Sequence, residues 1–193
     1  RFLARATFHG AHAGLALGIL LRGDDGLIGG LLGLRRARIE FGDAIPRLII
    51  VGRRGWENEQ VIDMLERCTA LRGHVEELNG CSDQRMQTLL RGARALLLPS
   101  FAEGYGMPVA EALAVGTPVI CSDLPALREA GGDVPDFLDP LDGPSWAAHI
   151  FDHFRGGPLY AAQKQRLAHW RPPSWQDHIA IVCEAIDELE LRL

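Results

Sequence analysis

A regular alternation between short aliphatic runs and longer amphipathic runs, from Pro46 onward, is the feature that most constrains the fold of this chain. Strands that are apolar on both faces and joined by helical crossovers predict a parallel sheet covered by helices on both sides. The sequence therefore predicts an α/β fold with a doubly wound parallel sheet. The predicted strands cover residues 47–52 (RLIIVG), 74–78 (HVEEL), 93–99 (ARALLLP), 117–122 (TPVICS) and 136–139 (DFLD).

The two ends of the chain depart from this alternation. After Asp142 the pattern is helical only, over residues 143–154, 158–170 and 174–193, so we expect extra C-terminal helices. Residues 1–45 are glycine-rich, and the glycines at positions 10, 14 and 18 have the spacing of close helix contacts. We interpret that opening as glycine-rich helix packing or a leader, because its apolar run is too short and too charged for a membrane span. The predicted domains are an atypical segment, 1–45, and a ligand-binding domain, 46–193.

Composition excludes some classes of partner. The chain of 193 residues has a formal charge of −5, which argues against nucleic acid, because domains that bind phosphate backbones are usually basic. Its four cysteines form no Cys-x-x-Cys pair, which is typical of packed thiols in a reducing cytoplasm.

The stretch PSFAEGYGMPVAE, residues 99–111, predicts a ligand site at the end of a strand. Glu103 falls in the loop after the strand, Pro108 suits the first turn of a helix, and Glu111 falls about one turn inside it. Doubly wound sheets bind ligands beyond the carboxyl ends of their strands, so this loop and the segments after residues 51, 78 and 121 are where chemistry is expected.

A nucleoside diphosphate fits the chemistry of this stretch. The glycines at 104 and 106 allow the backbone to approach a ligand, and the free N–H groups at a helix start attract phosphate. Glu111 could accept hydrogen bonds from a ribose diol, and Glu103 would lie near the group that the diphosphate carries. The alternative is a solvated loop residue at 103 and a favourable first-turn charge at 111.

The segment LLLPSFAEGYGMPVAEALAVGTPVICSDLPALREAGGD resembles the C-terminal, donor-binding half of family-four (group 1) retaining glycosyltransferases of GT-B architecture. The signature of that family is two glutamates separated by seven residues, matched here by Glu103 and Glu111. The resemblance covers about residues 46–190. It implies transfer of a sugar from a nucleotide-diphosphate sugar to an acceptor hydroxyl with retention, in polysaccharide or glycolipid biosynthesis. It also implies a cytoplasmic location, at the inner face of the membrane where the acceptor is lipid-linked.

The resemblance assigns a role to each matching residue. Glu103 is the catalytic residue and contacts hydroxyls of the transferred sugar, while Glu111 holds the ribose. The remaining binding residues are the backbone amides for the diphosphate, Gly104, Tyr105, Gly106 and Met107, and the loop for the base, Leu78, Asn79 and Gly80. No metal or other cofactor is expected, since His149 and His153 are four apart but have no third ligand near them.

The sequence also departs from the family pattern. Its first 45 residues contain no G-x-x-E-x-R-K-N segment, whose cations neutralise the diphosphate, so we expect that segment to be truncated or rearranged. Arg53 and Arg54 are predicted to substitute in part, with a solvated surface pair as the alternative. We expect the acceptor-binding domain to be a further partner that is missing from this chain, and we expect the isolated chain to be inactive.

The sequence supports three hypotheses about function. The first is the donor domain of a glycosyltransferase. The alternative is a non-catalytic or defunct nucleotide-sugar-binding fragment, and the third reading is a nucleotide-sugar epimerase of related architecture. An apolar stripe on the last helix would favour self-association.

Overall fold

The computed structural model describes residues 16–21, 35, 45–52, 59–172 and 174–190 of the chain. The strands are β1 (Ala16–Leu21), β2 (Arg47–Val51), β3 (Val75–Leu78), β4 (Leu96–Leu98), β5 (Val119–Ser122) and β6 (Asp136–Leu138). The helices are α1 (Glu59–Arg67), α2 (Asp83–Gly92), α3 (Met107–Ala114), α4 (Pro125–Gly131), α5 (Gly143–Arg155), α6 (Pro158–His169) and α7 (Trp175–Glu190). A short 3-10 turn, Thr69–Leu71, precedes β3.

The six strands form one parallel sheet in the order β3-β2-β1-β4-β5-β6. The predicted doubly wound fold is confirmed, and all five predicted strands are present. Some are shorter than expected: the run 93–99 contributes only Leu96–Leu98 to the sheet, because Ala93 caps α2 and donates its N–H to the Leu90 carbonyl. The strand order reverses between β1 and β4, and that reversal positions the candidate site described below.

Successive side chains of the central strands point to opposite faces of the sheet and pack in two separate hydrophobic cores, because side chains along a strand alternate with a period of two residues. On one face, Ile49, Leu98 and Cys121 pack with buried side chains of α2, α3, α4 and α6. On the other face, Leu97 and Ile120 pack with side chains of α1 and α5. Both faces of the sheet are therefore covered, which explains why its strands read as continuous apolar runs rather than as alternating ones.

Strand β1 contradicts the prediction made for the first part of the chain. We interpreted the glycine spacing around residues 10–18 as helix packing or a leader, whereas Ala16–Leu21 pairs in parallel with β2 and with β4. The sheet therefore draws a central strand from before residue 46. The division of the chain at that residue is otherwise untested and stays a prediction.

The C-terminal helices are present as predicted, and two of them are fixed to the sheet. Asp142 caps α5 by accepting the Ser145 N–H at 3.1 Å, and the buried Trp146 donates its indole N–H to the Asp139 carbonyl at 2.9 Å. Trp170, after α6, packs half-buried against the core. Among the helices of the described ranges, none combines the length and the apolar content that a membrane crossing requires.

Candidate functional site

The loop after β4 leaves the sheet at the point where the strand order reverses. β1 and β4 are neighbours, while their successors along the chain lie on opposite sides of them. In doubly wound sheets the crevice outside the carboxyl ends of the strands at this switch point is the usual ligand site. The topology therefore places the predicted Glu103 loop at that position.

Within this loop the Glu103 carboxylate is held by a buried hydroxyl. Ser100, only 4% exposed, lies two residues after the end of β4, and its Oγ donates a hydrogen bond of 2.7 Å to Glu103 Oε1. Glu103 itself is half-buried, whereas Phe101 and Tyr105 are exposed. The carboxylate thus has a defined anchor inside a solvent-accessible loop.

Gly106, the N-cap residue before helix α3, has a conformation that favours glycine. Its φ of 88° and ψ of 38° lie in the left-handed region, and a Cβ added there would lie 2.5 Å from Leu127 Cδ2 of α4. Pro108 occupies the first turn, as predicted, and the Gly106 carbonyl accepts the Val109 N–H at 2.9 Å. A glycine N-cap has no side-chain oxygen to bind the first helical N–H groups. The start of α3 is therefore open to an external anion.

Glu111 and the Leu78 loop, the other predicted binding residues, lie on helix α3 and at the end of β3. Glu111 is exposed and lies four residues after the first residue of α3. Leu78 is the last residue of β3, and its carbonyl accepts the Gly52 N–H at 3.1 Å, with Asn79 and Gly80 exposed behind it. Because β2 and β1 separate β3 from β4, the two loops stand about 14 Å apart at the usual strand spacing. A ligand that reaches both loops must be extended.

The predicted cations fall outside the part of the chain that the structure describes. Arg53 and Arg54 both belong to the undescribed residues 53–58, which follow β2 in the sequence. The proposed contribution of Arg53 to the diphosphate therefore stays a prediction.

An ion pair after β5 is a feature that the sequence reading missed. Arg128 donates to both carboxylate oxygens of Asp123, at 2.6 and 2.9 Å, and its guanidinium lies 4.3 Å from the centre of the Phe137 ring. The hydrogen bond from Arg128 lowers the pKa of Asp123, and Asp123 in turn raises the pKa of Arg128. The pair adds no net charge to this edge. Its sequence signal is an aspartate directly after a predicted strand, in a segment where chemistry was expected.

The residues that the structure describes contain no group of three or more His, Cys, Asp and Glu side chains suited to a metal ion. His149 and His153 lie in α5, where each Nδ1 is 2.9 Å from a backbone carbonyl oxygen one turn earlier. His153 is fully buried, with its Nε2 3.1 Å from Gln163 Oε1, so its ring is engaged in helix packing. The expectation of a metal-free site stays a prediction. A depression of about 630 Å³ beside Asp63, Arg67 and Thr69 lies at the amino edge of the sheet, away from this site.

Comparison with known proteins gives one family and several relatives. The family model described as glycosyl transferases group 1 matches residues 43–133. The chain is 34% identical over 131 residues to the O-antigen chain mannosyltransferase B of Escherichia coli, covering 67% of this chain and 34% of that protein. It is 32% identical over 113 residues to the O-antigen chain mannosyltransferase RfbU of Salmonella typhimurium, covering 57% of this chain and 31% of that protein.

The similarity extends to solved structures. The crystal structure of WaaG, a glycosyltransferase involved in lipopolysaccharide biosynthesis, superposes with a TM-score of 0.66 at 18% identity, over 82% of this chain and 43% of that one. At that identity the likeness supports the fold alone, and the α/β fold of this chain is shared with part of the chain of GT-B glycosyltransferases. This chain spans about a third of the length of the curated relatives it matches.

Proposed function

The chain contains a group 1 glycosyltransferase domain, whose family model matches residues 43–133, and from this premise we propose that the chain binds the nucleotide-diphosphate sugar of a glycosyltransferase. One observation carries the proposal: the Glu103 loop and the glycine-capped start of α3 lie together after β4, at the switch point of the sheet. The open N–H groups there suit a diphosphate, and an anchored carboxylate beside them suits the hydroxyls of a sugar.

Each site residue has a part in this proposal. Glu103 contacts the transferred sugar, and the backbone of Gly104, Tyr105, Gly106 and Met107 holds the diphosphate. Glu111, exposed on α3, accepts hydrogen bonds from the ribose, and the Leu78–Asn79–Gly80 loop contacts the base at the far end of an extended ligand. The protein contributes mainly by stabilising the departing diphosphate through preorganised charge and dipoles, without a metal ion.

We propose mannose as the transferred sugar and a polysaccharide as the product. The two relatives reported above are O-antigen chain mannosyltransferases, and this supports both assignments. The acceptor is then a growing, lipid-linked chain at the cytoplasmic face of the membrane. Because this chain spans about a third of those relatives, we propose that a second domain presents the acceptor across a cleft from the β4 loop.

Titration calorimetry with the 193-residue chain tests donor binding. The ligands are GDP, UDP, GDP-mannose and UDP-glucose, and the variant is Glu111→Ala. We expect one nucleotide to bind and to bind at least tenfold more weakly to the variant, because a ribose contact is lost. Glu129→Ala, at an exposed position of α4, is the matched control and should leave the affinity unchanged. A folded chain that binds none of the four ligands would contradict the proposal.

The non-catalytic alternative is favoured by one observation, the lack of a G-x-x-E-x-R-K-N segment in the sequence. Turnover separates the two candidates. With an acceptor-binding domain and acceptor supplied, a transferase releases nucleotide diphosphate from the donor, whereas a binding module retains the donor intact. Accumulation of an epimerised nucleotide sugar would instead indicate the epimerase.

A further inference from the structure

The hydrogen bond from Ser100 to Glu103 joins the rigid end of a central strand to a loop side chain. β4 lies between β1 and β5, its three residues are buried, and the buried run continues through Pro99 and Ser100. The Ser100 hydroxyl is thus fixed by the core. Phe101, Ala102, Gly104 and Tyr105 are exposed, so the loop around Glu103 has little packing of its own.

The two carboxylate oxygens of Glu103 differ in their hydrogen bonding. Oε1 accepts the Ser100 hydroxyl at 2.7 Å, which directs that oxygen toward the end of β4. Among the described residues, no hydrogen bond is seen at Oε2. An ionised carboxylate is acceptor-only and has lone pairs on both oxygens, so Oε2 keeps its full capacity to accept hydroxyl protons from a ligand.

We propose that Ser100 is a positioning residue, which holds Glu103 through Oε1 so that Oε2 alone accepts hydrogen bonds from the hydroxyls of the transferred sugar. This inference rests on the proposed function. It adds that sugar recognition depends on a residue that does not itself touch the sugar. A carboxylate locked in one orientation loses less rotamer freedom on binding than a free loop glutamate. Loss of Ser100 should therefore weaken the binding of the sugar and leave the nucleotide unaffected.

A purely structural role for Ser100 makes a different prediction. Such a hydroxyl would stabilise the loop or the fold, and its loss would affect every ligand, or only the thermal stability. Thr117 provides the matched control. It is also buried, and its Oγ1 donates a hydrogen bond of the same length, 2.7 Å, to the Leu90 carbonyl, but it precedes β5 at the opposite edge of the sheet.

The experiment is titration calorimetry of the chain with GDP-mannose and with GDP, for the wild type, Ser100→Ala, Thr117→Val, Glu103→Ala and the double variant Ser100→Ala/Glu103→Ala. If another pair, such as UDP-glucose and UDP, proves to bind, it replaces these probes. We expect Ser100→Ala to weaken the binding of the nucleotide sugar about fivefold to tenfold and to change the affinity for the free nucleotide less than twofold. In the Glu103→Ala background, the same substitution should have no further effect, because Ser100 acts through Glu103.

The outcomes separate this inference from the proposed function. If the wild type binds nucleotide and sugar nucleotide but Ser100→Ala binds both as the wild type does, the positioning role is wrong and the proposed function stands. If Ser100→Ala weakens the binding of both ligands equally, or weakens the binding of the nucleotide sugar further in the Glu103→Ala background, then Ser100 has a structural role. If the folded wild type binds no ligand, the proposed function fails, and this inference fails with it. Thr117→Val should lower the melting temperature without changing the affinity ratio of the two ligands.

Discussion

The glycines at positions 104 and 106 serve different purposes, although they stand two residues apart. Gly106 has a left-handed φ of 88°, and a Cβ there would meet Leu127 Cδ2 at 2.5 Å, so the fold itself demands glycine. At Gly104 the backbone is outside the left-handed region and a Cβ would meet nothing within 4 Å. The fold makes no such demand at 104, and the missing side chain there leaves room for a ligand.

Alanine substitution should separate these two roles. We expect Gly106→Ala to destabilise the chain by about 2 kcal/mol, from the left-handed penalty and the contact with Leu127, which lowers the melting temperature by about 4–8 °C. Gly104→Ala should leave the melting temperature unchanged and weaken the binding of nucleotide diphosphate. Thermal denaturation and calorimetry measure the two effects. Undiminished affinity in a folded Gly104→Ala variant would argue against close approach of the diphosphate to that backbone.

Asp123 gives a pH-dependent signature at the same edge. Arg128 lowers the pKa of Asp123 below its ordinary value of 3.8, so the ionised carboxylate stabilises the fold above that pH, and this contribution is lost as the pH falls through the lower, folded value. Asp123→Asn should therefore melt at a lower temperature than the wild type at pH 6, and the difference should shrink below about pH 3.8. Melting curves from pH 2.5 to 7 measure this. A difference that stays constant on acidification would show that the Asp123 charge is not its cause.

At the scale of elements, α6 supplies a hydrogen-bonding partner to the edge of β5. The fully buried Gln163 donates to the Val119 carbonyl at 2.6 Å and accepts the Val119 N–H at 3.0 Å. The β5–β6 ladder begins only at Ile120, paired with Asp136, so Val119 has no strand partner on that side among the described residues. The glutamine amide takes the place of the absent strand residue.

Gln163→Leu should therefore destabilise the fold more than the loss of one exposed amide would. It leaves a buried N–H and a buried C=O of Val119 unpaired, for an expected loss of about 2–4 kcal/mol in the free energy of unfolding. Gln165→Leu, at an exposed position of the same helix, is the control and should change stability little. Urea unfolding monitored by circular dichroism compares the variants. Equal midpoints for the two would mean that water replaces the amide at Val119.

Elements with a strong local signal could be predicted from the sequence, and those fixed by distant partners could not. The run RLIIV of β2 is mostly β-branched and aliphatic, and this local pattern predicts the strand correctly. ALGILL of β1 contains a glycine and follows others at helical spacing, and its place in the sheet depends on pairs such as Leu20 with Ile50 and with Leu97. No local pattern encodes such pairs. Because β1 could not be predicted, the reversal of the strand order between β1 and β4 could not be predicted either.

The candidate site shows the same division. The loop after β4 and the first-turn Pro108 follow from local turn and helix chemistry. The Ser100–Glu103 bond could not be predicted in the same way, because the known Ser-x-x-Glu pattern of helix starts joins each side chain to a backbone N–H group and not to the other side chain. The contact of Gly106 with Leu127 joins residues of separate helices, so only the packed structure could show it.

At the scale of the whole molecule, helix α7 presents an unburied surface over the part whose side chains are described. Every side chain described between Gln176 and Asp187 is exposed. Its apolar residues nevertheless form a stripe, since Ile179, Val182, Cys183 and Ile186 recur at the three- and four-residue spacing of one helix face. Helices with such a stripe normally bury it, so this surface is suited to contact with another protein surface.

For the isolated chain we predict that this other surface belongs to a second copy of the chain. The α7 stripes of the two copies would then contact each other. Ile179 and Ile186 are 56% and 50% exposed, so burying what remains exposed of one isoleucine contributes about 1 kcal/mol. The two copies of Ile179 in a pair together contribute about 2 kcal/mol, or tenfold or more in the dissociation constant. Ile179→Lys should therefore weaken self-association at least tenfold in sedimentation equilibrium. Ile181→Lys is the matched control, because Ile181 is 64% exposed but lies about 200° around the helix from Ile179. A chain that stays monomeric at all concentrations, or an equal effect of both lysines, would refute pairing through this stripe.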